Sequence, residues 1–215
     1  LTDIAVLVKD GASVKPGEVL MTVRGDTRAI LLAERTALNF LGHLSGIATL
    51  TRTWVDAVAG TNCIIRDTRK TTPGMRLLEK YAVRMGGGTN HRMSLSDAAL
   101  IKDNHIAAAG GVAQAFSKVR EKFPTSEIEI EVDTLDQLRE VLPLKPDLVL
   151  LDNMSPAQCA EAVSIVAGAT KLEASGGITL DNAKAYALTG VQFLAIGALT
   201  HSAPVFDIGL DLRAE

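Results

Sequence analysis

The sequence predicts an α/β fold with a parallel sheet at its centre. From Thr125 onward, short runs of Val, Ile and Leu alternate with longer amphipathic segments, which is the pattern of consecutive βα units. With two further strands predicted before Thr125, six βα-like units at this spacing favour either a barrel or a doubly wound sheet. The 215 residues, of which 47% are hydrophobic, are enough to bury a large core, as one domain or as one domain with a smaller one beside it.

The first sixty residues show a different pattern. Residues 6–23 are rich in Gly and Pro turn signals, so they predict a small β layer. Apolar residues at helical spacing follow in residues 30–40 and 47–58. Gly42 and Gly46 lie between these segments and predict an interruption between two helices.

The elements of the parallel sheet can be placed one by one. Strands are expected at residues 63–66, 99–102, 128–132, 148–151, 170–174 and 192–196. Helices are expected at residues 112–122, 134–141, 155–166 and 180–188, with Thr134, Ser155 and Thr179 as N-caps of the last three. Residues 206–212 alternate apolar with polar or Gly residues, which predicts a strand that returns to the first layer. The predicted units are therefore an N-terminal domain, a barrel domain and a returning strand, at residues 1–60, 61–203 and 204–215.

Composition excludes several classes of function. A net charge of −3 with both signs interspersed gives no overall basic surface for a nucleic acid or a membrane. The apolar runs are far shorter than the roughly 18 residues that span a bilayer. Cys63 and Cys159 have neither a disulfide framework nor metal-ligand spacing, which fits a reducing compartment and a cytoplasmic protein. We expect both to be buried, inert thiols.

Positive charge is concentrated in residues 66–105. This window holds eight Lys and Arg residues against four Asp and Glu, a net charge of +4 that leaves −7 for the rest of the chain. Within it, Thr68, Arg69 and Lys70 follow directly after a predicted strand. Hydroxyl and cationic side chains at the carboxyl end of a parallel strand are suited to binding an anion. The alternative is an ordinary solvated basic loop.

Two carboxylates, Glu131 and Asp152, come at the ends of neighbouring predicted strands. Because the carboxyl ends of parallel strands meet at one rim, both would face the same site. Carboxylates placed in this way suit sugar hydroxyls or a hard cation such as Mg²⁺. The alternative is that Asp152 caps a helix and Glu131 is an exposed charge at a strand end.

Small residues follow the last two predicted strands. These are Ser175-Gly176-Gly177 in one loop, and Gly197-Ala198 with nearby His201 in the other. Glycines let backbone N–H groups approach phosphate oxygens, and barrel enzymes often bind phosphate at the last two strand-end loops. A plain left-handed turn is the alternative.

Taken together, the basic segment, the two carboxylates and the glycine loops predict a barrel-like enzyme for an anionic, phosphorylated substrate.

At these residues the sequence resembles the quinolinate phosphoribosyltransferase family, the decarboxylating enzymes of NAD biosynthesis. Nine segments match the family in its order: AERTALN (33–39), HLSGIAT (43–49), RDTRKTTPG (66–74), GGGTNHR (86–92), IKDNH (101–105), EIEV (129–132), LDN (151–153), SGGI (175–178) and GALTHS (197–202). One such motif would be unspecific, but nine in order are not.

The resemblance implies an incomplete parallel α/β barrel of six to seven strands beside a small α/β sandwich domain. It also implies a homodimer whose active sites lie at the subunit interface. Family members carry further residues before the position that matches Leu1. We therefore expect the sandwich domain to be partly truncated in this chain.

The resemblance further assigns roles to individual residues. Quinolinate binding falls to Arg35, Arg69, His91, Arg92 and Lys102, with Arg35 reaching the neighbouring subunit's pocket. Thr68 and Lys70 match positions near the carboxylates and the pyrophosphate of phosphoribosyl pyrophosphate. Glu131 and Asp152 match the residues that hold the ribose hydroxyls and Mg²⁺. The 5′-phosphate site is matched by Ser175, Gly176, Gly177, Gly197, Ala198 and His201.

The implied reaction is a pentosyl transfer followed by decarboxylation. The pyridine nitrogen of quinolinate attacks the anomeric carbon, while Mg²⁺ and Lys70 neutralise the departing pyrophosphate. Loss of CO₂ then gives nicotinate mononucleotide. The residues expected to be catalytic are Lys70, Lys102, Glu131 and Asp152.

Two other functions are compatible with the same motifs. One is a paralogous phosphoribosyltransferase that uses a monocarboxylate or another base, and the other is a catalytically silent sugar-phosphate-binding module. A monocarboxylate does not need the complete set of cations, so that set favours quinolinate. His43 and His105 are candidate hydrogen-bonding groups behind the site.

Overall fold

The computed structural model describes residues 3–212. Within them, two strands form a small antiparallel sheet and six form a parallel sheet. The strands are β1 Asp3–Val6, β2 Met21–Arg24, β3 Ile64–Arg66, β4 Ala99–Ile101, β5 Ile128–Val132, β6 Leu148–Asp152, β7 Lys171–Ser175 and β8 Phe193–Ala195. The helices are α1 Thr27–Ala57, α2 Arg76–Met85, α3 Asp103–Ala109, α4 Val112–Lys122, α5 Leu135–Val141, α6 Pro156–Val166, α7 Leu180–Ala187 and α8 Ala198–His201, with a 3-10 turn at Leu142–Leu144.

The parallel sheet has the strand order β3-β8-β7-β6-β5-β4. Every neighbouring pair in it is parallel. Within the described residues, the two end strands β3 and β4 do not pair with each other, so the barrel is incomplete. This confirms the predicted architecture, and all six predicted strands of the barrel are present.

Strand β5 shows how the sheet divides apolar from polar side chains. Ile128, Ile130 and Val132 are completely buried and belong to the main core cluster together with residues of α4 and α5. Glu129 and Glu131 alternate with them and therefore point to the opposite face, toward the barrel interior. Both glutamates are also buried. The interior of this barrel is thus charged, while its outer layer under the helices is apolar.

The predicted interruption near residue 42 is wrong, because α1 runs without a break from Thr27 to Ala57. Gly42 and Gly46 serve a close approach instead. A Cβ atom on Gly46 would lie 2.0 Å from the carbonyl oxygen of Pro204, and one on Gly42 would lie 3.0 Å from that of Phe206. The glycines let the C-terminal tail cross the helix backbone.

The predicted returning strand is also wrong for the residues that the structure describes. Residues 204–212 form no strand, and positions 213–215 lie outside the described range. The Phe206 N–H donates to the carbonyl oxygen of Gly42 at 3.0 Å, so the tail is bound to α1 and not to the β1-β2 sheet. That small sheet confirms the predicted β layer, with its strands at the two ends of the turn-rich segment.

The four predicted helices of the barrel are confirmed to within one residue at each end. Thr134 and Ser155 cap their helices by accepting the N–H groups of Gln137 and Gln158. The sequence did not predict α2, α3 or α8. Among the described helices, none has the length and apolar character required to cross a membrane.

Candidate active site

The six parallel strands bring the predicted site residues to one rim of the barrel, where their carboxyl ends meet. Register places Asp152 directly opposite Ser175, and Ser175 opposite Ala195. Arg66 lies opposite Ala195 on the other side. The carboxylates, both glycine loops and the basic segment after β3 therefore lie side by side.

The loop after β7 has a backbone that requires glycine. Gly176 and Gly177 have φ values of 85° and 63°, in the left-handed region. A Cβ atom on Gly176 would lie 2.1 Å from Oδ1 of Asn153. The Asn153 N–H in turn donates to the carbonyl oxygen of Ser175 at 2.8 Å, which joins this loop to the end of β6.

The loop after β8 is joined to the basic segment after β3. Gly197 is in contact with Lys70 and His201, since a Cβ atom added to it would lie 3.0 Å from Lys70 Cδ and 3.3 Å from His201 Nε2. Thr200 Oγ1 donates to the carbonyl oxygen of Lys70 at 2.7 Å. Thr68 Oγ1 accepts the Lys70 N–H at 3.0 Å. An exposed lysine is thereby held beside a small-residue turn, which suits a phosphate group.

Carboxylates cluster at the ends of β5 and β6. One oxygen each of Glu131, Asp133 and Asp152 lies within 4.8 Å of the other two. Burial raises the pKa of Asp152, and the neighbouring Glu131 and Asp133 raise it further. Lys102 Nζ lies 2.7 Å from Oε2 of Glu131. Three oxygen ligands at this spacing fit a hard cation such as Mg²⁺. The sequence did not predict a role for Asp133, although it follows β5 directly.

Arg69 and Arg92 are two half-buried cations beside the site. Burial lowers the pKa of Arg92, and the positive charge of Arg69 lowers it further. The Nε atoms of both are buried without a hydrogen-bond partner among the described residues. Paired cations with unused donors suit a ligand that carries two negative charges.

A buried ion pair fixes the segment that carries Arg92. Lys80 of α2 is fully buried, and its Nζ donates to Asp67 Oδ1 at 2.6 Å and to the carbonyl oxygens of His91 and Arg92 at 2.7 and 3.1 Å. Asp67 also accepts the His91 N–H at 2.8 Å and the Asn90 side-chain amide at 2.5 Å. Burial lowers the pKa of Lys80, although its hydrogen bond to Asp67 raises it. The buried charges of Lys80 and Asp67 therefore hold the segment of residues 90–92 in place.

The remaining predicted residues lie in different surroundings. Arg35 is exposed on α1 and has no hydrogen-bond or ion-pair partner within the part of the chain that the structure describes. His43 Nε2 lies 2.8 Å from Oε1 of the buried Glu79, whose Oε2 accepts the Thr72 N–H. His105 Nδ1 accepts the Lys102 N–H at 2.9 Å at the start of α3. His43 and His105 therefore support the segments on which the site stands.

Comparison with known proteins decides the family. A model described as the quinolinate phosphoribosyl transferase C-terminal domain matches residues 47–211, and the corresponding N-terminal domain matches residues 2–45. The chain belongs to the quinolinate phosphoribosyltransferase family. Helix α1 spans the junction of these two family domains.

Relatives in the quinolinate phosphoribosyltransferase family match nearly the whole chain. A nicotinate-nucleotide pyrophosphorylase (carboxylating) of Mycobacterium leprae is 55% identical over 208 residues, which are 95% of this chain and 73% of that protein. A probable enzyme of the same name from Bacillus subtilis is 45% identical, with 95% and 71% covered. The crystal structure of nicotinate-nucleotide pyrophosphorylase from Ehrlichia chaffeensis superposes with a TM-score of 0.95 at 43% identity, with 98% of this chain and 77% of that chain covered.

Proposed function

We propose that this chain transfers the phosphoribosyl group of phosphoribosyl pyrophosphate to quinolinate, with decarboxylation, to give nicotinate mononucleotide, pyrophosphate and CO₂ in NAD biosynthesis. The choice of quinolinate as the base rests on Arg69 and Arg92. Each has a buried Nε donor with no hydrogen-bond partner among the described residues. A dicarboxylate supplies an acceptor for each, whereas a monocarboxylate leaves one cation unmatched. Family membership and the relatives' names support the same reaction.

The phosphoribosyl half of the reaction is supported by the glycine loops. Backbone N–H groups at Ser175, Gly176 and Gly177, and at Gly197 and Ala198, line neighbouring loops at the rim, a pattern suited to the 5′-phosphate. We place His201 at the same phosphate and Lys70 at the pyrophosphate, since both pack against Gly197. Glu131 and Asp152 would accept hydrogen bonds from the ribose hydroxyls.

We propose that Glu131, Asp133 and Asp152 also hold Mg²⁺, directly or through water. When bound, Mg²⁺ would supply positive charge to the pyrophosphate oxygens. Lys70 would add a second positive charge to the same leaving group. The attacking pyridine nitrogen carries a lone pair and needs no general base. Arg69, Arg92 and Lys102 would fix the quinolinate carboxylates, and so orient that nitrogen toward the anomeric carbon.

A homodimer is the proposed assembly, in which Arg35 reaches the partner's site. The surface around Arg35 on α1 is apolar, with Leu31, Leu32 and Phe40 exposed by 54%, 85% and 44%. An apolar helix face of this kind favours contact with a second copy. Arg35 has no partner among the described residues, which is compatible with a role across that interface.

The test of substrate choice compares quinolinate with nicotinate as phosphoribosyl acceptors. With phosphoribosyl pyrophosphate and Mg²⁺ present, quinolinate should release pyrophosphate, and kcat/KM for nicotinate should be lower by about 10- to 100-fold, since one charged hydrogen bond is worth roughly 1.5–3 kcal/mol. Equal turnover of both acids would favour the monocarboxylate paralogue. Binding of phosphoribosyl pyrophosphate without turnover of either would favour a silent module.

A further inference from the structure

A polar cluster in the barrel interior surrounds His91, and its other three members have no task in the reaction as proposed. It consists of His91, Glu129, Glu173 and Arg66, and the two glutamates are 3% and 0% exposed. His91 Nε2 lies 2.7 Å from Oε2 of Glu129 and 3.5 Å from Oε1 of Glu173. Arg66 Nη1 donates to the other oxygen of Glu173 at 2.7 Å. The imidazole therefore faces two carboxylates, one of which is already held by an arginine.

The second ring nitrogen of His91 fixes the tautomer. The backbone N–H of Arg92 donates to His91 Nδ1 at 2.7 Å, so Nδ1 presents a lone pair and carries no proton. Burial lowers the pKa of His91, which favours the neutral ring. The one ring proton is therefore on Nε2, directed at the glutamates.

This tautomer argues against a metal ion at the cluster. His91 Nε2 and carboxylate oxygens of Glu129 and Glu173 lie within 4.8 Å of one another, which is a spacing that metal ligands have. A metal needs the lone pair of the nitrogen, and at Nε2 that position is taken by the proton. Neither contact of Nε2 is aligned as a hydrogen bond, so a small rotation of the ring would direct the N–H to Glu129. A carboxylate beside a histidine N–H is an arrangement that orients the ring.

We propose that Glu129 is a positioning residue for substrate binding, which acts through His91 on Arg92. The path has two contacts: Glu129 Oε2 faces the Nε2–H of His91, and His91 Nδ1 accepts the N–H of Arg92. Lys80 holds the carbonyl oxygens of His91 and Arg92 at the same time. The backbone at Arg92 is thus fixed at both its N–H and its carbonyl group. The inference rests on the proposed function, since it requires that Arg92 contact a quinolinate carboxylate.

Loss of Glu129 should act on quinolinate and not on phosphoribosyl pyrophosphate. In Glu129→Ala the imidazole loses its nearer carboxylate, and the backbone N–H of Arg92 loses a fixed acceptor. The guanidinium still donates from Nη1 to the carbonyl oxygen of Ala98 at 2.9 Å, but the backbone from which the side chain extends can shift. Misplacement of a binding group by about 1 Å costs up to about 100-fold. We expect the KM for quinolinate to rise by about 10- to 100-fold with kcat changed by less than about threefold, because Arg92 binds the ground state and the transition state alike.

The conservative variant separates positioning from general destabilisation. Glu129→Gln keeps an oxygen that can accept the Nε2–H, so its KM for quinolinate should return to within about threefold of wild type. Glu127→Gln removes the same charge from an exposed position two residues earlier and should leave both KM values unchanged. Equal defects in the Ala and Gln variants, an unchanged KM in Glu129→Ala, or an equal rise in KM for phosphoribosyl pyrophosphate would overturn the role.

A spectroscopic measurement on the wild-type chain tests the tautomer of His91 directly. ¹⁵N NMR of the histidine side chains, with the His91 signals assigned by their loss in His91→Asn, should show an unprotonated Nδ1 and a protonated Nε2. The opposite tautomer in an active enzyme would overturn this inference alone. A wild-type chain that does not turn over quinolinate would instead overturn the proposed function, and the positioning role with it.

Discussion

Lys102 contacts Glu131, so a side chain proposed to bind quinolinate lies against one proposed to bind the ribose. It lies at the end of β4, is 48% exposed, and reaches Glu131 at 2.7 Å across the gap between neighbouring strands. We propose that its ammonium group binds a quinolinate carboxylate and at the same time orients Glu131. One side chain would thus influence both the base and the ribose.

Lys102→Ala should therefore remove most of the activity and leave the fold intact. A charge-assisted hydrogen bond contributes roughly 1.5–3 kcal/mol, so kcat/KM should fall by about 10- to 100-fold. The circular dichroism spectrum should not change, because an exposed side chain contributes little to the core. Lys118→Ala, on the exposed face of α4, is the matched control. Unchanged steady-state rates in Lys102→Ala would reject the assigned role.

At the scale of the element, α2 is tied to the site through the Lys80–Asp67 pair. Both side chains are 0% exposed, and the pair lies between α2 and the loop after β3. Lys80→Met leaves the Asp67 charge buried without its cation, which costs about 3–5 kcal/mol of unfolding free energy. Urea unfolding measures this loss, and Lys118→Met, at an exposed position, should change stability by less than about 0.5 kcal/mol. Equal stability of the two variants would contradict the account of how this loop is held.

The contact between α1 and the tail gives a second prediction at this scale. Gly46→Ala adds a Cβ atom 2.0 Å from the carbonyl oxygen of Pro204, so the tail must move. Alanine favours the helix by about 1 kcal/mol, but overpacking costs about 1–3 kcal/mol, and the cost should lie near the upper part of that range because the neighbour is backbone. We therefore expect a net loss of stability of about 1–2 kcal/mol. Gly209→Ala meets no atom within 4 Å and should be neutral. A stabilised Gly46→Ala protein would show that the tail does not lie on α1.

The elements that the sequence predicted correctly are those with a strong local pattern. Residues 112–196 alternate apolar strands with capped helices, and there each predicted end lies within one residue of the observed one. The predicted interruption in α1 was wrong because a glycine within a helical pattern can either weaken the helix or allow another segment to lie close to the helix backbone. A close approach at Gly46 depends on the tail, which comes about 160 residues later in the chain, so a local sequence pattern does not predict it. The same holds for α2, whose buried Lys80 looks like an ordinary charged residue in the sequence.

At the scale of the whole molecule, the candidate site divides into a part that the sequence could predict and a part that it could not. Residues at strand ends were predictable, because parallel strands meet at one rim whatever their loops do. The Lys80–Asp67 pair and the His91–Glu129–Glu173 cluster depend on packing between distant elements. Glu129 did leave a signal in the sequence, since it lies two residues before Glu131 in β5 and therefore on the same face of the strand.

The proposed dimer can be tested by complementation between two inactive variants. Arg35→Ala and Lys102→Ala each remove a residue of the same composite site, but from different subunits. After mixing and subunit exchange, half of the dimers are mixed, and each of these has one intact site, so about one quarter of wild-type activity should return. No recovery in a mixture shown to contain mixed dimers would contradict delivery of Arg35 across the interface.

The proposed decarboxylating phosphoribosyl transfer is tested most directly by the stoichiometry of its products. The chain is mixed with Mg²⁺, phosphoribosyl pyrophosphate and quinolinate labelled with ¹³C in the carboxyl group next to the ring nitrogen, and pyrophosphate, labelled CO₂ and nicotinate mononucleotide are quantified together. All three products should form in equal amounts and only when both substrates are present. A folded protein that releases pyrophosphate without CO₂, or that releases neither, would contradict the proposed function.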